Sequence, residues 1–316
     1  MDDSTQPATD PAAPGPAPVP DPAAAAAFLT THARLLDRRR LELLLGRCKP
    51  DSVVAALDGY RNPDGGYGWA LEPDLRARGS QPVAALHAFE PLAECGPAGP
   101  YPQAAALCDW LGTVTLPDGG VPFALPMAGQ DLAGAAPFWA EADPAVSSLH
   151  MTAVVASAAH RVGRHDPAVR DHPWLARATE FCRRTIAALT EQPHAIEFRF
   201  VLDLLDAVYE THDWAAPELA RLAAWLPYDT GTLAVAGGAD GEAMRPLDFA
   251  PLPDRPVRGL IAPGAIEADL DRLARGQLDD GGWAVDFVTR SPAAALEWRG
   301  YATVGAVHVL RANGRV

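Results

Sequence analysis

The chain has 316 residues, 48% hydrophobic and 21% charged, enough to bury a substantial core in one large soluble domain. Its 26 basic and 40 acidic side chains leave a formal charge of −14, which argues against a nucleic-acid backbone or an anionic membrane as partner. No apolar run approaches the ~20 residues of a membrane span, the N-terminus lacks the pattern of an export signal, and the four cysteines show no zinc-ribbon or C-x-x-C spacing, so a cytoplasmic protein with reduced thiols is expected.

Residues 1–22, rich in Pro, Ala and Asp, read as a disordered tail, with a single domain over 23–316. Helical sequence begins near Pro22, with Phe28, Leu29, Leu35, Leu36, Leu41, Leu44 and Leu45 at mixed spacings of three and four. A turn follows, Asn62-Pro63-Asp64-Gly65-Gly66-Tyr67-Gly68-Trp69, and it recurs as Leu116-Pro117-Asp118-Gly119-Gly120-Val121-Pro122-Phe123 and as Gln277-Leu278-Asp279-Asp280-Gly281-Gly282-Trp283. Paired glycines accept positive φ, the aspartate bonds the backbone two residues on, and the following aromatic packs the loop down. The aspartates stand 54 and then 162 residues apart, the second gap three times the first. His172-Pro173-Trp174 and Leu226-Pro227-Tyr228-Asp229-Thr230-Gly231 read as eroded copies on the two missing rungs, so five units fit the length.

Between the turns two kinds of helix alternate. Trp174–Leu189 and Ala265–Gln277 are amphipathic and belong at a surface; Val83–Leu86, Met151–Ala159, Phe198–Leu205 and Ala302–Leu310 are apolar nearly all round and must be enclosed. Outer and inner helices at a constant period predict an all-α fold, an α/α toroid of five or six helical hairpins around a central cavity. The Pro- and Gly-rich stretch 227–263 is too long for an ordinary connection and is expected across one mouth of that cavity.

Gln277 to Trp283 resembles the QW repeat of squalene-hopene cyclases, relatives of the β subunits of protein prenyltransferases, and the likeness covers roughly residues 40–316. The resemblance implies a terpene cyclase-like or prenyltransferase-like toroid acting on an isoprenoid. In the cyclases an Asp-x-Asp-Asp acid motif opens an inner helix; here Arg78-Gly79-Ser80-Gln81 occupies that slot, and Ser148-Leu149-His150-Met151, Ala195-Ile196-Glu197-Phe198 and Arg299-Gly300-Tyr301-Ala302 stand in the corresponding places of other units. The aspartates are absent. The zinc ligands of the prenyltransferases and a magnesium-binding Asp-Asp-x-x-Asp are absent as well, so no metal and no cofactor is expected.

The candidates that remain are His150 and Glu197 as an acid and base pair, and Ser80, Trp139, Phe198, Trp298, Arg299 and Tyr301 as substrate-binding groups around them. Trp69 and Trp283 belong to the structural turns, whereas Trp139, Trp298 and Phe198 are expected to line an aromatic wall. His87 and His308, inside inner helices, read as satisfied core histidines. Arg299 needs a partner, and Asp286 is available for it. The functional expectation is a metal-independent cyclase or isomerase with an isoprenoid-like hydrophobic ligand. The alternative is a non-catalytic protein that binds such a metabolite or scaffolds a partner enzyme.

Overall fold

A computed structural model describes Gly15 and residues 17–316. Most of the expected tail therefore lies outside the described residues, but its last part is docked. The Gln277 side chain accepts from the Asp21 N–H at 2.7 Å and donates to the Asp21 carbonyl at 2.8 Å, and Arg275 reaches the Gly15 carbonyl.

The fold is all-α. Its helices are α1 (Pro22–His32), α2 (Leu35–Leu44), α3 (Pro50–Leu57), α4 (Pro82–Glu94) and α5 (Pro102–Val114). They continue with α6 (Gln130–Ala133), α7 (Pro137–Ala140), α8 (Leu149–Gly163), α9 (Pro167–Arg170) and α10 (Pro173–Ala187). The last are α11 (Ala195–Val208), α12 (Ala215–Leu222), α13 (Pro246–Phe249), α14 (Pro263–Arg275) and α15 (Pro292–Ala312). Two-residue strands, β1 (Leu233–Ala234) and β2 (Ala243–Met244), pair antiparallel with Leu233 opposite Met244. Proline opens most of the long helices, where its fixed φ suits the first turn and its missing N–H costs no hydrogen bond.

The two expected kinds of helix are present. α10 buries a stripe of Trp174, Leu175, Ala178, Phe181, Cys182 and Ile186, and α14 buries Ile266, Leu270 and Ala274. α8, in contrast, is buried at every residue from Met151 to Ala159, enclosed by α4, α10 and α11. The inner helices contact one another in the order α2, α4, α8, α11, and α15 packs on α2, α1 and α14.

The three Asp-Gly-Gly turns are superimposable in their bonding. Each pairs the residue two before the aspartate with the second glycine, at 2.9, 2.8 and 2.9 Å for Asn62–Gly66, Leu116–Gly120 and Leu278–Gly282. The aspartate carboxylate accepts from that second glycine's N–H at 2.9, 3.1 and 3.1 Å. The first glycines, Gly65, Gly119 and Gly281, sit at φ of 92°, 97° and 90°, a region open to glycine at no steric cost. A Cβ on Gly66, Gly120 or Gly282 would strike Trp110, Phe181 or Phe28 respectively. Each turn thus lies flat on an outer helix: the first on α5, the second on α10, the third on α1.

One expectation about the repeat is corrected. The rung at 172 is not an eroded turn, because His172 is the N-cap of α10 and accepts from the Trp174 N–H; the connection from α10 to α11 runs through 188–194 without glycine. Spacing alone misplaces it because the segment carrying α6 and α7 lengthens the second unit. The segment 227–263 packs on α11. It runs along α11, from the Ala236 carbonyl on His194 at its N-terminal end to Arg255 on Asp206 and Glu210 near its C-terminal end. Its residues stand between α11 and α14.

Candidate functional site

The inner helices begin where the turns end, so the first residues of α8 and α11 and the middle of α15 come to a common level. Two matching bonds establish the register: the Thr152 hydroxyl accepts from the Val121 N–H, and the Thr303 hydroxyl from the Trp283 N–H, both at 3.0 Å. His150 and Tyr301 are therefore equivalent positions in their units. Ser80 is not. Gln81 bonds the Tyr67 carbonyl as Ser148 bonds that of Val121, which makes Ser80 the counterpart of Ser147. Both serines donate to the turn aspartate, at 2.8 Å to Asp64 and 2.6 Å to Asp118, so Ser80 ties a turn to a helix start instead of facing a ligand. In the third turn Arg299 takes that role, gripping both oxygens of Asp280 at 2.8 Å. Asp286, its expected partner, pairs with Arg245.

His150 lies in a group of rings. Its imidazole meets Phe200 edge-on at 4.7 Å and Phe123 at 5.2 Å, and Phe123 stacks on Trp139 at 4.7 Å. Burial, helped by the positive charges near His194 and Arg199, pulls the imidazole down to about 4, so it is neutral at pH 7. Neither ring nitrogen has a hydrogen-bond partner among the described residues. The Trp139 indole N–H is buried and also unpartnered. Glu197 joins this group from α11, but its carboxylate accepts from the main-chain N–H of His150 at 3.1 Å, capping the neighbouring helix and not the imidazole. Burial pushes the Glu197 carboxyl above its usual range, with that hydrogen bond partly opposing.

Phe198 is absent from this wall. It is fully buried, packed on Trp225 and Phe249 on the outward side of α11, because at this helical phase Glu197 and Phe200 take the positions next to His150. Trp69 and Trp283 serve the turns as expected, with their indole N–H groups on Asn62 and on the Leu273 carbonyl.

Deeper along the inner helices lies a charged cluster that apolar patterning conceals. Two consecutive left-handed residues, Trp69 and Ala70 with φ of 56° and 61°, turn the chain so that loop 71–79 passes over α4. Glu72 then reaches His87 Nε2 at 2.8 Å, and Glu90 holds Nδ1 at 3.1 Å. Tyr301 donates to Glu90 at 2.7 Å, and Arg40 from α2 grips Glu94 at 2.6 Å while lying over the Tyr301 ring. Burial alone would lower His87, but the charge of Glu90 and the bonds to Glu72 and Glu90 outweigh it and raise the imidazole to about 9. Against the burial penalty, the same contacts hold Glu90 at about 2. Trp298 belongs to the edge of this cluster, edge-to-face with His87 and Tyr301 and donating to Asp74 at 2.8 Å. His87 is thus satisfied on both nitrogens, as its sequence context implied. The signal for its carboxylate partners was weak: Glu90 stands one helical turn on, while Glu72 lies in a loop. His308 differs from the core histidine expected. Its side chain is exposed.

The carboxylates of α11 are likewise taken by arginines, Asp203 by Arg161 and Asp206 with Glu210 by Arg255. No group of three or more His, Cys, Asp or Glu among the described residues has the arrangement of a metal site, and no described helix is long and apolar enough to cross a membrane. All four cysteines are free thiols. No protein-family model matches this chain, and no curated protein matches it.

Proposed function

We propose that the chain is a closed α/α toroid of the terpenoid cyclase and prenyltransferase kind, acting as a metal-independent cyclase or isomerase on an isoprenoid-like substrate at the mouth where its inner helices begin. Closure is supported by the turns. The first two dock on the outer helix of the following unit, and the third makes the same contact with α1, the first outer helix of the chain. An open superhelix would leave that last turn without a partner. A central space is supported by His308 and Gly305, which are exposed although they stand on the largely apolar helix α15.

The functional reading rests on one observation: a neutral His150 without a hydrogen-bond partner, ringed by Phe123 and Phe200, beside a Glu197 carboxyl whose proton affinity is raised. The neutral imidazole has a lone pair free to take up a proton, as a base weakened by burial, and burial moves the Glu197 carboxyl toward its protonated, donating form. Aromatic faces nearby would stabilise the positive charge that proton delivery to an alkene creates. Tyr301 and Trp298 are tied to the charged cluster, through Glu90 and Asp74 respectively.

The test is conversion of linear isoprenoid hydrocarbons, alcohols and diphosphates, followed by gas chromatography and mass spectrometry, for the wild type, His150→Ala and Glu197→Gln. Loss of conversion in both variants supports the mechanism; full conversion in either removes it. The second reading, a non-catalytic carrier or scaffold, is favoured by the mutual satisfaction of Glu72, His87, Glu90 and Tyr301, which leaves none of them free for proton transfer. It predicts a co-purifying isoprenoid in native mass spectra and no product.

A further inference from the structure

A cleft of about 300 Å³ lies between α1 and α2, built from residues that the aromatic site does not use. Its floor is aliphatic, with Leu29 and Leu41 almost fully buried and Leu45 at the end of α2. Its rim is basic. Arg38, Arg39 and Arg47 face a single carboxylate, Glu42, and Arg39 already occupies that carboxylate at 2.5 Å. Arg38 Nε is left 3.9 Å from Glu42, outside hydrogen-bond reach, and it is buried with no acceptor among the described residues. A buried guanidinium N–H without a partner is unfavourable, and an acceptor entering the cleft would relieve it. The Arg47 guanidinium makes no hydrogen bond or ion pair among the described residues and stands exposed at the rim. In a chain of formal charge −14, three guanidinium groups against one carboxylate form a local reversal of sign.

We propose that this cleft binds a small amphipathic anion, a phosphate or carboxylate head on Arg38 and Arg47 with an aliphatic chain over Ala26 and Leu45, the half-buried apolar residues of its wall. A guanidinium offers the planar pair of donors that such a head accepts, and the aliphatic floor rejects a bare, fully hydrated ion. The head and the chain therefore contribute separately, and each can be removed by itself.

The experiment is titration calorimetry of the full chain with octyl phosphate, octanoate and inorganic phosphate at low salt, repeated for the double variant Arg38→Gln, Arg47→Gln. A parallel sedimentation assay uses phosphatidylcholine vesicles with and without phosphatidic acid. Saturable binding of octyl phosphate or octanoate, weaker for inorganic phosphate and about tenfold or more weaker in the variant, supports the site and assigns it to a soluble anion. Binding confined to phosphatidic acid vesicles and lost in the variant supports it and assigns it to a lipid headgroup. Absence of saturable binding in every arm, affinity unchanged in the variant, or equal affinity for octyl and inorganic phosphate overturns it. Both arginines are on the rim, and circular dichroism of the variant separates lost binding from lost folding. A single Leu45→Asn variant, which keeps both cations, should weaken octyl phosphate and leave inorganic phosphate unaffected.

Discussion

The clearest quantitative consequence of the structure is the pH dependence that His87 imposes on stability. Its imidazole rises from an ordinary value of 6.5 to about 9, so the protonated form is the one the fold favours. That preference is worth roughly 3 kcal/mol, fully present below the unfolded value and lost as pH climbs through the folded one. Between pH 6.5 and about 8.5, linkage removes roughly 2 kcal/mol of it. Above that window a second loss begins, because burial pushes Cys95 up to about 12 and unfolding lets such thiols ionise first. Urea unfolding at half-unit steps from pH 6.5 to 8.5 should therefore show a steady decline in the wild type. In His87→Gln the decline should vanish, leaving a protein already weaker at pH 6.5, with Glu72 and Glu90 buried and without their cation. A wild-type stability that is flat across the window, or a decline of equal size in the variant, would refute the assignment of a charged imidazole between two carboxylates.

Other outcomes follow from single contacts. Gly281→Ala should destabilise by about 2 kcal/mol or more, since φ there is 90° and the new methyl would strike the Ala24 backbone; Gly305→Ala, in α15 with open space around its Cβ, should stabilise by about 0.5–1 kcal/mol in the same chemical melt. Gln277→Ala removes both bonds to Asp21 and should free the chain ahead of α1, read as faster proteolytic cleavage before Pro22 with little change in global unfolding. Thr303→Val keeps the shape but leaves the Trp283 N–H buried without an acceptor, at a cost of about 1–3 kcal/mol by chemical denaturation. Acidification acts on the aromatic site in the opposite sense to His87. His150 sits near 4 in the fold, so stability should fall as pH drops from 6.5 toward 4, and His150→Phe should reduce that slope in urea unfolding curves.

What the residues determine by themselves is local. An Asp-Gly-Gly run carries its own turn, because the carboxylate bonds two residues on and the first glycine alone can adopt the required φ; all three copies fold alike for that reason. The stripe of α10 and the enclosed run of α8 are equally legible, since the period of a helix converts adjacent residue types into faces. Where a connection departs from its repeat, counting fails: the longer second unit carries the 172 rung into a helix cap, and Ser80 slips three residues from the level of His150.

Only the tertiary structure decided which charges meet. Glu72, His87, Glu90, Arg40 and Tyr301 come from a loop and three helices, and nothing in the spacing of a chain encodes a hydrogen bond between residues 90 and 301. The same holds for Glu197, which stands in the first turn of its own helix and caps its neighbour's. A backbone turn is the work of four or five consecutive residues. A buried ion cluster depends on the packing of whole helices, and the energy that selects its partners is set by the burial that packing creates.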